Sequence, residues 1–171
     1  VLYFARPEMP RRLYNLGIKT LQIVKSRLPD VEIVFYGSER IDSSSIPFDH
    51  VNLGLLPTQE DLARLYNEAT VSLVFSTTNP SMVPFEMMAC GLPVVVSRYV
   101  GVSEIIESWK DGIIAGEPND TNELAEIITE LTHNEYLRRN IGLNARKKAE
   151  RFSWNRISQE IKELYERISK R

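Results

Sequence analysis

The sequence predicts an α/β fold, a doubly wound parallel sheet with helices on both faces. Three observations carry that expectation. Short apolar runs of β-branched and aromatic residues alternate with segments at helical spacing, the pattern of βαβ units. Residues 71–96 hold one such unit complete, as an apolar run, a small polar loop, a helix and a second apolar run. No linker or shift of composition divides the 171 residues, so a single domain over 1–171 is expected.

The elements follow in order. Val1–Ala5 is a strand, and Arg6–Arg12 a loop with two prolines and three arginines. Leu13, Leu16, Leu21, Val24 and Leu28 fall near helical spacing. Pro29-Asp30 breaks that helix, and Val31–Tyr36 is the next strand, ended by Gly37. A polar loop over Ser38–Pro47 leads to a short strand at Asp49–Leu53, closed by Gly54. Thr58, with Asp61 behind it, is a candidate cap for a helix through Leu62, Leu65, Tyr66 and Ala69.

Val71–Phe75 is the central strand. Met82–Ala89 can be helical because Pro84 falls in its first turn, and Gly91 suits a left-handed stop. Leu92–Val96 is the next strand. A second small-residue loop, Ser97–Ser103, opens a helix expected at Glu104–Trp109. Asp111-Gly112 marks a turn and Ile113–Ala115 a short strand. Asn119–Thr132, Glu135–Phe152 and Ser153–Lys170 are expected helices. The last carries an apolar stripe, Trp154, Ile157, Ile161, Leu164 and Ile168, expected to face the core, with part of it free to dock on a missing domain.

Bulk properties exclude several classes. A net charge of −2 and a pI near 5.8 provide no overall field for nucleic acid. The single cysteine, Cys90, rules out an internal disulfide, agrees with a reducing compartment, and is expected to be a small buried thiol. His50 and His133 stand far apart, so a histidine metal site or Ser-His dyad is not expected. No apolar run reaches the length of a membrane span, and no signal peptide is visible. The chain starts at Val1 inside a strand, which points to a piece of a longer protein with a domain upstream. The expected location is cytoplasmic. The basic run Arg146-Lys147-Lys148 with Arg151 is expected as a solvated face, with peripheral membrane contact as its minor reading.

The chemistry lies in the loops at the strand carboxyl ends, where open parallel sheets bind ligands. Neither G-x-G-x-x-G nor G-x-x-x-x-G-K-S/T occurs, which argues against a nicotinamide dehydrogenase and a P-loop hydrolase. Arg6, Arg11 and Arg12 follow the first strand, Gly54 the third and Thr78–Val83 the fourth; Gly101–Glu104 opens the next helix. Paired arginines beside a helix N-terminus can hold a diphosphate. Taken singly, Arg11 and Arg12 are expected on a solvated loop, whereas Arg6 ends a buried strand. Glu86 either faces solvent or accepts hydrogen bonds from a ligand, a vicinal diol being a good match for its two oxygens.

These residues resemble a known family. Arg6, the Gly54-Leu55-Leu56-Pro57 … Asp61-Leu62 … Tyr66 … Ala69 segment, the block Pro84-Phe85-Glu86-Met87-Met88-Ala89-Cys90-Gly91-Leu92-Pro93-Val94-Val95, Gly101 with Ser103-Glu104-Ile105-Ile106, Asp111-Gly112 and Phe152-Ser153-Trp154 occur in the order seen in the donor-binding, C-terminal domain of family 4 (group 1) glycosyltransferases of the GT-B fold. The resemblance implies a Rossmann-like domain, one half of a GT-B enzyme whose N-terminal acceptor domain lies outside this chain. It implies a nucleotide-diphospho-sugar donor, a glycan or lipid-linked acceptor, retaining transfer of a hexose or deoxyhexose, and no cofactor or metal. Glu86 matches the second glutamate of the E-x₇-E motif, which binds the donor ribose. Arg6, with Arg11 or Arg12 in place of the usual lysine, would neutralise the diphosphate. Backbone around Ser81, Met82 and Val83 would meet phosphate and sugar, and Gly54–Leu56 the base.

One departure stands out. Thr78 occupies the position of the motif's first glutamate, and Asn79-Pro80-Ser81 replaces the usual Gly-Phe-Gly. That version resembles a rhamnosyltransferase-like branch and leaves Thr78 and Asn79 at the sugar-reading end. Two alternatives stand beside this reading: a non-catalytic nucleotide- or glycan-binding relative, and, more weakly, a sugar-nucleotide epimerase, which the scarcity of acid/base residues in the loops disfavours.

Overall fold

The computed structural model describes residues 1–79, 81–99, 101–116 and 120–169. Pro80 of the replaced motif, Val100 of the second loop, and the expected helix ends Asn119 and Lys170 lie outside the described residues. Six strands form one sheet in the order β3-β2-β1-β4-β5-β6. They are β1 (Leu2–Phe4), β2 (Val34–Tyr36), β3 (Val51–Asn52), β4 (Ser72–Val74), β5 (Val94–Val96) and β6 (Ile113–Ile114). Every pair is parallel, and Leu2 pairs with Val34 on one side and Ser72 on the other. The chain winds outward from β1 to β3, then returns beside β1 and winds the other way. The doubly wound expectation holds, and the reversal falls between β1 and β4.

Alternation along β1 divides the core. Tyr3 points into one layer with Phe35, Leu73 and Phe75, while Leu2 and Phe4 point into the other with Tyr36, Val74 and Met87. The first layer is covered by α1 (Tyr14–Arg27) and α5 (Thr121–His133), which pack on each other. The second is covered by α2 (Gln59–Glu68), α3 (Val83–Ala89) and α4 (Val102–Ile105). Helix α6 (Glu135–Ala149) lies across both, giving Ile141 to one layer and Ala145 to the other.

Local chemistry sets the ends of these elements. The Thr58 hydroxyl oxygen accepts from the Asp61 N–H at 3.1 Å, capping α2 as its sequence foretells. Pro84 sits in the first turn of α3. That helix stops at Gly91, whose φ of +72° lets its N–H reach the Met88 carbonyl at 2.9 Å and that of Leu92 reach Met87 at 3.0 Å.

Three expectations are corrected. The helix expected at Glu104–Trp109 is one turn, Val102–Ile105, because Asp111 Oδ1 takes the Glu107 N–H at 2.8 Å and draws the chain into a turn at Trp109, φ +65°. Lys148 does not belong to a solvated basic face. Its Nζ lies 2.8 Å from the buried Asp111 Oδ2 and ties that turn to α6. The stripe on α7 (Trp154–Ser169) does not face the core: Trp154 is 74% and Ile168 61% exposed, and no residue of the helix is buried. The sheet's faces are already covered, so this stripe finds no layer to join.

Helix α6 reaches α3 through Gly142, where an added Cβ would run into the Gly91 carbonyl. Both sides of that contact are backbone, so nothing can rotate away. Gly142→Ala is expected to destabilise the fold by about 1–3 kcal/mol, as overpacking does. Urea unfolding reads this directly, and an unchanged midpoint would show that the two helices can separate without cost.

Candidate functional site

The carboxyl ends of β1, β4 and β5 are laced together at the reversal point. The Thr77 N–H donates to the Arg11 carbonyl at 3.0 Å, joining the two loops that flank the crevice. Arg11 Nη1 donates to Asn79 Oδ1 at 3.0 Å. Ser76 Oγ accepts from the N–H groups of Thr78 and Asn79, each at 3.3 Å. Ser97 Oγ accepts from the Ser76 N–H at 2.7 Å and donates to the Ser76 carbonyl at 2.6 Å, fastening β4 to β5. Small hydroxyl residues allow this lacing, since each serves backbone donors and acceptors at short range.

Arg12 is buried beside this lacing, and its position corrects the expectation of a solvated loop. It is 3% exposed, its guanidinium lies 5.4 Å from the Phe4 ring centroid, and its Nε and Nη1 have no partner among the described residues. Burial lowers its pKa, and the like charges of Arg11 and Arg6 lower it further. Arg6 lies 5.8 Å over the same ring, half-buried, with Nε donating to Glu8 Oε1 at 2.6 Å. Glu8 Oε2 in turn accepts from the Ser38 hydroxyl at 2.8 Å, so this carboxylate spans the ends of β1 and β2.

In the loop after β4, Ser81 holds φ +58°, a left-handed conformation unusual for a side-chain-bearing residue, and its buried Oγ has no partner among the described residues. Met82 is exposed, Val83 half-buried, and α3 begins without a side-chain cap, leaving its first N–H groups open to other acceptors.

Leu55 lies across a cleft of about 410 Å³ from Arg6, with Glu8, Gly37, Ser38, Glu39 and Arg40 as its other walls. The Leu55 N–H donates to Glu39 Oε1 at 3.1 Å and the Gly54 N–H to Asn52 Oδ1 at 3.1 Å. The backbone donors expected to meet a base are therefore engaged within the chain.

Glu86 is solvent-facing and anchored at once. It borders a hollow of about 290 Å³ with Tyr66, Met82, Cys90 and Trp154 among its walls. The Tyr66 hydroxyl donates to Glu86 Oε2 at 3.3 Å and lies 3.0 Å from that of Tyr36. With Tyr66 donating outward, Tyr36 is the donor of the inner bond. Burial raises both phenol pKa values, so both stay protonated. Burial likewise raises the half-buried Cys90 thiol, against the pull of Arg146, which keeps it from thiolate chemistry.

Arg6, Arg11 and Arg12 thus gather beyond the end of β1, with Arg11 holding Asn79 and Thr78 next to it in the chain; Leu55 shares a cleft with Arg6, and Met82 and Glu86 share a hollow. Ser97, Glu8, Glu39, Tyr36 and Tyr99 carry no motif. Their only signal in the sequence is a place at or just beyond the end of a strand.

This strand order, with polar loops gathered at the carboxyl edge and a reversal lined by arginines, defines a Rossmann-like α/β domain. Its solved neighbours are GT-B glycosyltransferases. One is the Anabaena HepE protein solved with UDP and glucose, matched with a TM-score of 0.80 at 24% identity over 96% of this chain and 47% of that one. Residues 1–129 match the model of the WsaF C-terminal domain, and the chain belongs to that family. An uncharacterized glycosyltransferase of Methanocaldococcus jannaschii is 39% identical over 88 residues, covering 52% of this chain and 25% of that protein. The O-antigen biosynthesis protein RfbC of Myxococcus xanthus is 33% identical over 157 residues, covering 90% of this chain and 12% of RfbC. The chain therefore spans a quarter or less of either relative. Among the described residues no helix is long and apolar enough to cross a membrane, and no group of three or more His, Cys, Asp and Glu side chains could hold a metal ion.

The tyrosine relay makes a prediction. Tyr66→Phe leaves the Tyr36 hydroxyl buried without its partner and is expected to cost about 1–3 kcal/mol. Adding Tyr36→Phe removes the orphan, so the double variant should lose less than the sum of the two single changes. Strict additivity in urea unfolding would show that the two hydroxyls do not interact.

Proposed function

We propose that this chain is the donor-binding half of a retaining glycosyltransferase, and that it holds a nucleotide-diphospho-sugar at the β1/β4 reversal. The observation that carries the proposal is Arg12, a buried cation with two unpartnered nitrogens and two further guanidiniums close by. Such a group is costly to bury without an anion, and a diphosphate supplies one in the geometry guanidinium prefers. When the bond from the sugar to the diphosphate breaks, negative charge grows on the leaving phosphate, and Arg12, Arg6 and Arg11 stabilise it. No metal ion is required for that step. Glu86, oriented by Tyr66, takes the ribose hydroxyls, while Thr78, Asn79 and the backbone of Ser81, Met82 and Val83 face the sugar. Binding a base between Gly54 and Leu55 requires Glu39 to release the Leu55 N–H.

The transferred group in this reading is a hexose or deoxyhexose. The acceptor is a glycan or a lipid-linked sugar presented by the rest of the protein, in the cytoplasm; the role of RfbC in O-antigen biosynthesis supports a glycan acceptor. The competing reading is a binding module without transfer, which the loss of a carboxylate at Thr78 favours. Assay of the whole protein with a panel of donors separates them.

Thermal-shift screening of the chain against uridine, guanosine, adenosine and deoxythymidine diphospho-sugars tests the first step. Arg12→Met is expected to leave the free domain as stable as before, or more so, because it relieves an uncompensated buried charge, yet to abolish the shift. In the whole enzyme Arg6→Ala should lower turnover by roughly 10²–10³. A ligand shift that survives Arg12→Met, together with normal turnover of Arg6→Ala, would overturn the assignment. Glu86→Gln should weaken a ribonucleotide but not its analogue lacking the contacted hydroxyl, as calorimetry would report.

A further inference from the structure

Beside Arg12 stands a hydroxyl that this scheme does not yet use. Tyr99 lies three residues beyond the end of β5, is 9% exposed, and its Oη has no partner among the described residues. It packs in the same apolar layer as Phe4, over which Arg12 lies, and as Tyr36. Tyr99 and Arg12 are near enough for each to shift the other's titration. Burial pushes the phenol up to about 12 against the pull of the Arg12 cation, so the group remains an O–H donor at neutral pH.

The two side chains do not satisfy each other. A phenol oxygen could accept from a guanidinium, but Arg12 Nε, Arg12 Nη1 and Tyr99 Oη are each without a hydrogen-bond partner among the described residues, and the phenol proton still seeks an acceptor. Two nine-tenths-buried donors, one beyond the end of β1 and one beyond the end of β5, the strands that flank β4, call for an acceptor. A carboxylate from the chain would serve, but Glu8 is bound to Arg6 and Ser38, and Glu86 to Tyr66. A phosphate oxygen fits, since it accepts several hydrogen bonds at once and carries the charge that Arg12 lacks.

We propose that Tyr99 is a phosphate-binding residue, its hydroxyl donating to the diphosphate that Arg12 holds. The proposal rests on the donor-site reading and deepens it, placing a neutral donor opposite the cation so that the diphosphate is gripped from both sides of β4. Neutrality matters here. A third strong cation beside Arg12 would raise its repulsion from Arg6 and Arg11, whereas a phenol adds a directed bond without charge.

Tyr99→Phe tests this cleanly, because the ring keeps its packing and only the hydroxyl is lost. Calorimetric titration of the chain with uridine diphosphate and with deoxythymidine diphosphate is the measurement, with the ligand-free melting temperature alongside. The expected result is binding weakened roughly 10- to 100-fold, the loss of one hydrogen bond to a charged group, at an unchanged or higher melting temperature. Equal affinity for Tyr99→Phe and the unmodified chain would overturn the Tyr99 assignment. If Arg12→Met then still abolished binding, the donor-site reading would survive it. A fall in affinity accompanied by a fall in ligand-free melting temperature would make Tyr99 structural and also sink the proposal. If the unmodified chain binds neither diphosphate, both readings fall together.

Discussion

A buried guanidinium with no counter-ion among the described residues is the feature on which the rest of this structure turns. Arg12 has left water, lies against an aromatic ring, and is flanked by two more cations. Desolvation and repulsion both oppose that arrangement, so the fold must hold it from outside. It does so through the lacing of strand ends: Thr77 to Arg11, Arg11 to Asn79, Ser76 to Ser97. The Thr77 and Ser76 bonds involve backbone and at most a short side chain, so they fix the loops with little loss of rotamer freedom, while the Arg11 bond to Asn79 ties down a long one. The free domain therefore stores an unfavourable charge, which under the proposed function the donor diphosphate relieves. In that reading it is electrostatic preorganisation, with the cost met during folding and not at the moment of reaction.

The neighbouring Glu86 uses the opposite strategy. Its carboxylate stays in solvent and is aimed by a hydroxyl that is itself aimed by a second hydroxyl inside the sheet layer. Tyr36 comes from β2, Tyr66 from α2 and Glu86 from α3, so three elements agree on one carboxylate direction. Under the proposed function Glu86 binds a diol, a task that needs orientation more than field strength, and this relay supplies orientation. Charge-holding and direction-setting thus fall to different elements, with Arg12 beyond the end of β1 and Glu86 on α3.

Much of this was legible beforehand, and the parts that were not share a cause. The parallel doubly wound sheet follows from the alternating pattern, and the Thr58 cap and the Gly91 stop follow from local rules that hold wherever those residues fall. Arg6 was foreseeable because it ends a buried strand. The burial of Arg12, the capture of the Glu107 N–H by Asp111 and the pairing of Lys148 all depend on partners distant in sequence or on a turn of one particular geometry. Helix α7 misled for a related reason. Periodicity shows that a helix has an apolar face, but not whether a layer remains for that face to cover. Tyr99 was invisible for the plainest reason, since a tyrosine in a strand-end loop looks like any other until its hydroxyl is found without a partner.

The altered sugar-reading end can be judged by the same electrostatic logic. A carboxylate at position 78 would stand beside Asn79, whose amide oxygen already holds Arg11, and would draw off part of the positive potential around Arg12. With Thr78 in its place, Arg11 is met by a neutral amide, and the field of the three arginines is left for the ligand. What is surrendered is an acceptor for sugar hydroxyls. A deoxyhexose has fewer hydroxyls to satisfy, so under the proposed function the exchange removes a contact such a donor sugar needs least. Ser81, strained at φ +58° with a buried and unpartnered hydroxyl, then becomes a polar group by which this end of the site can still address the sugar or its phosphate.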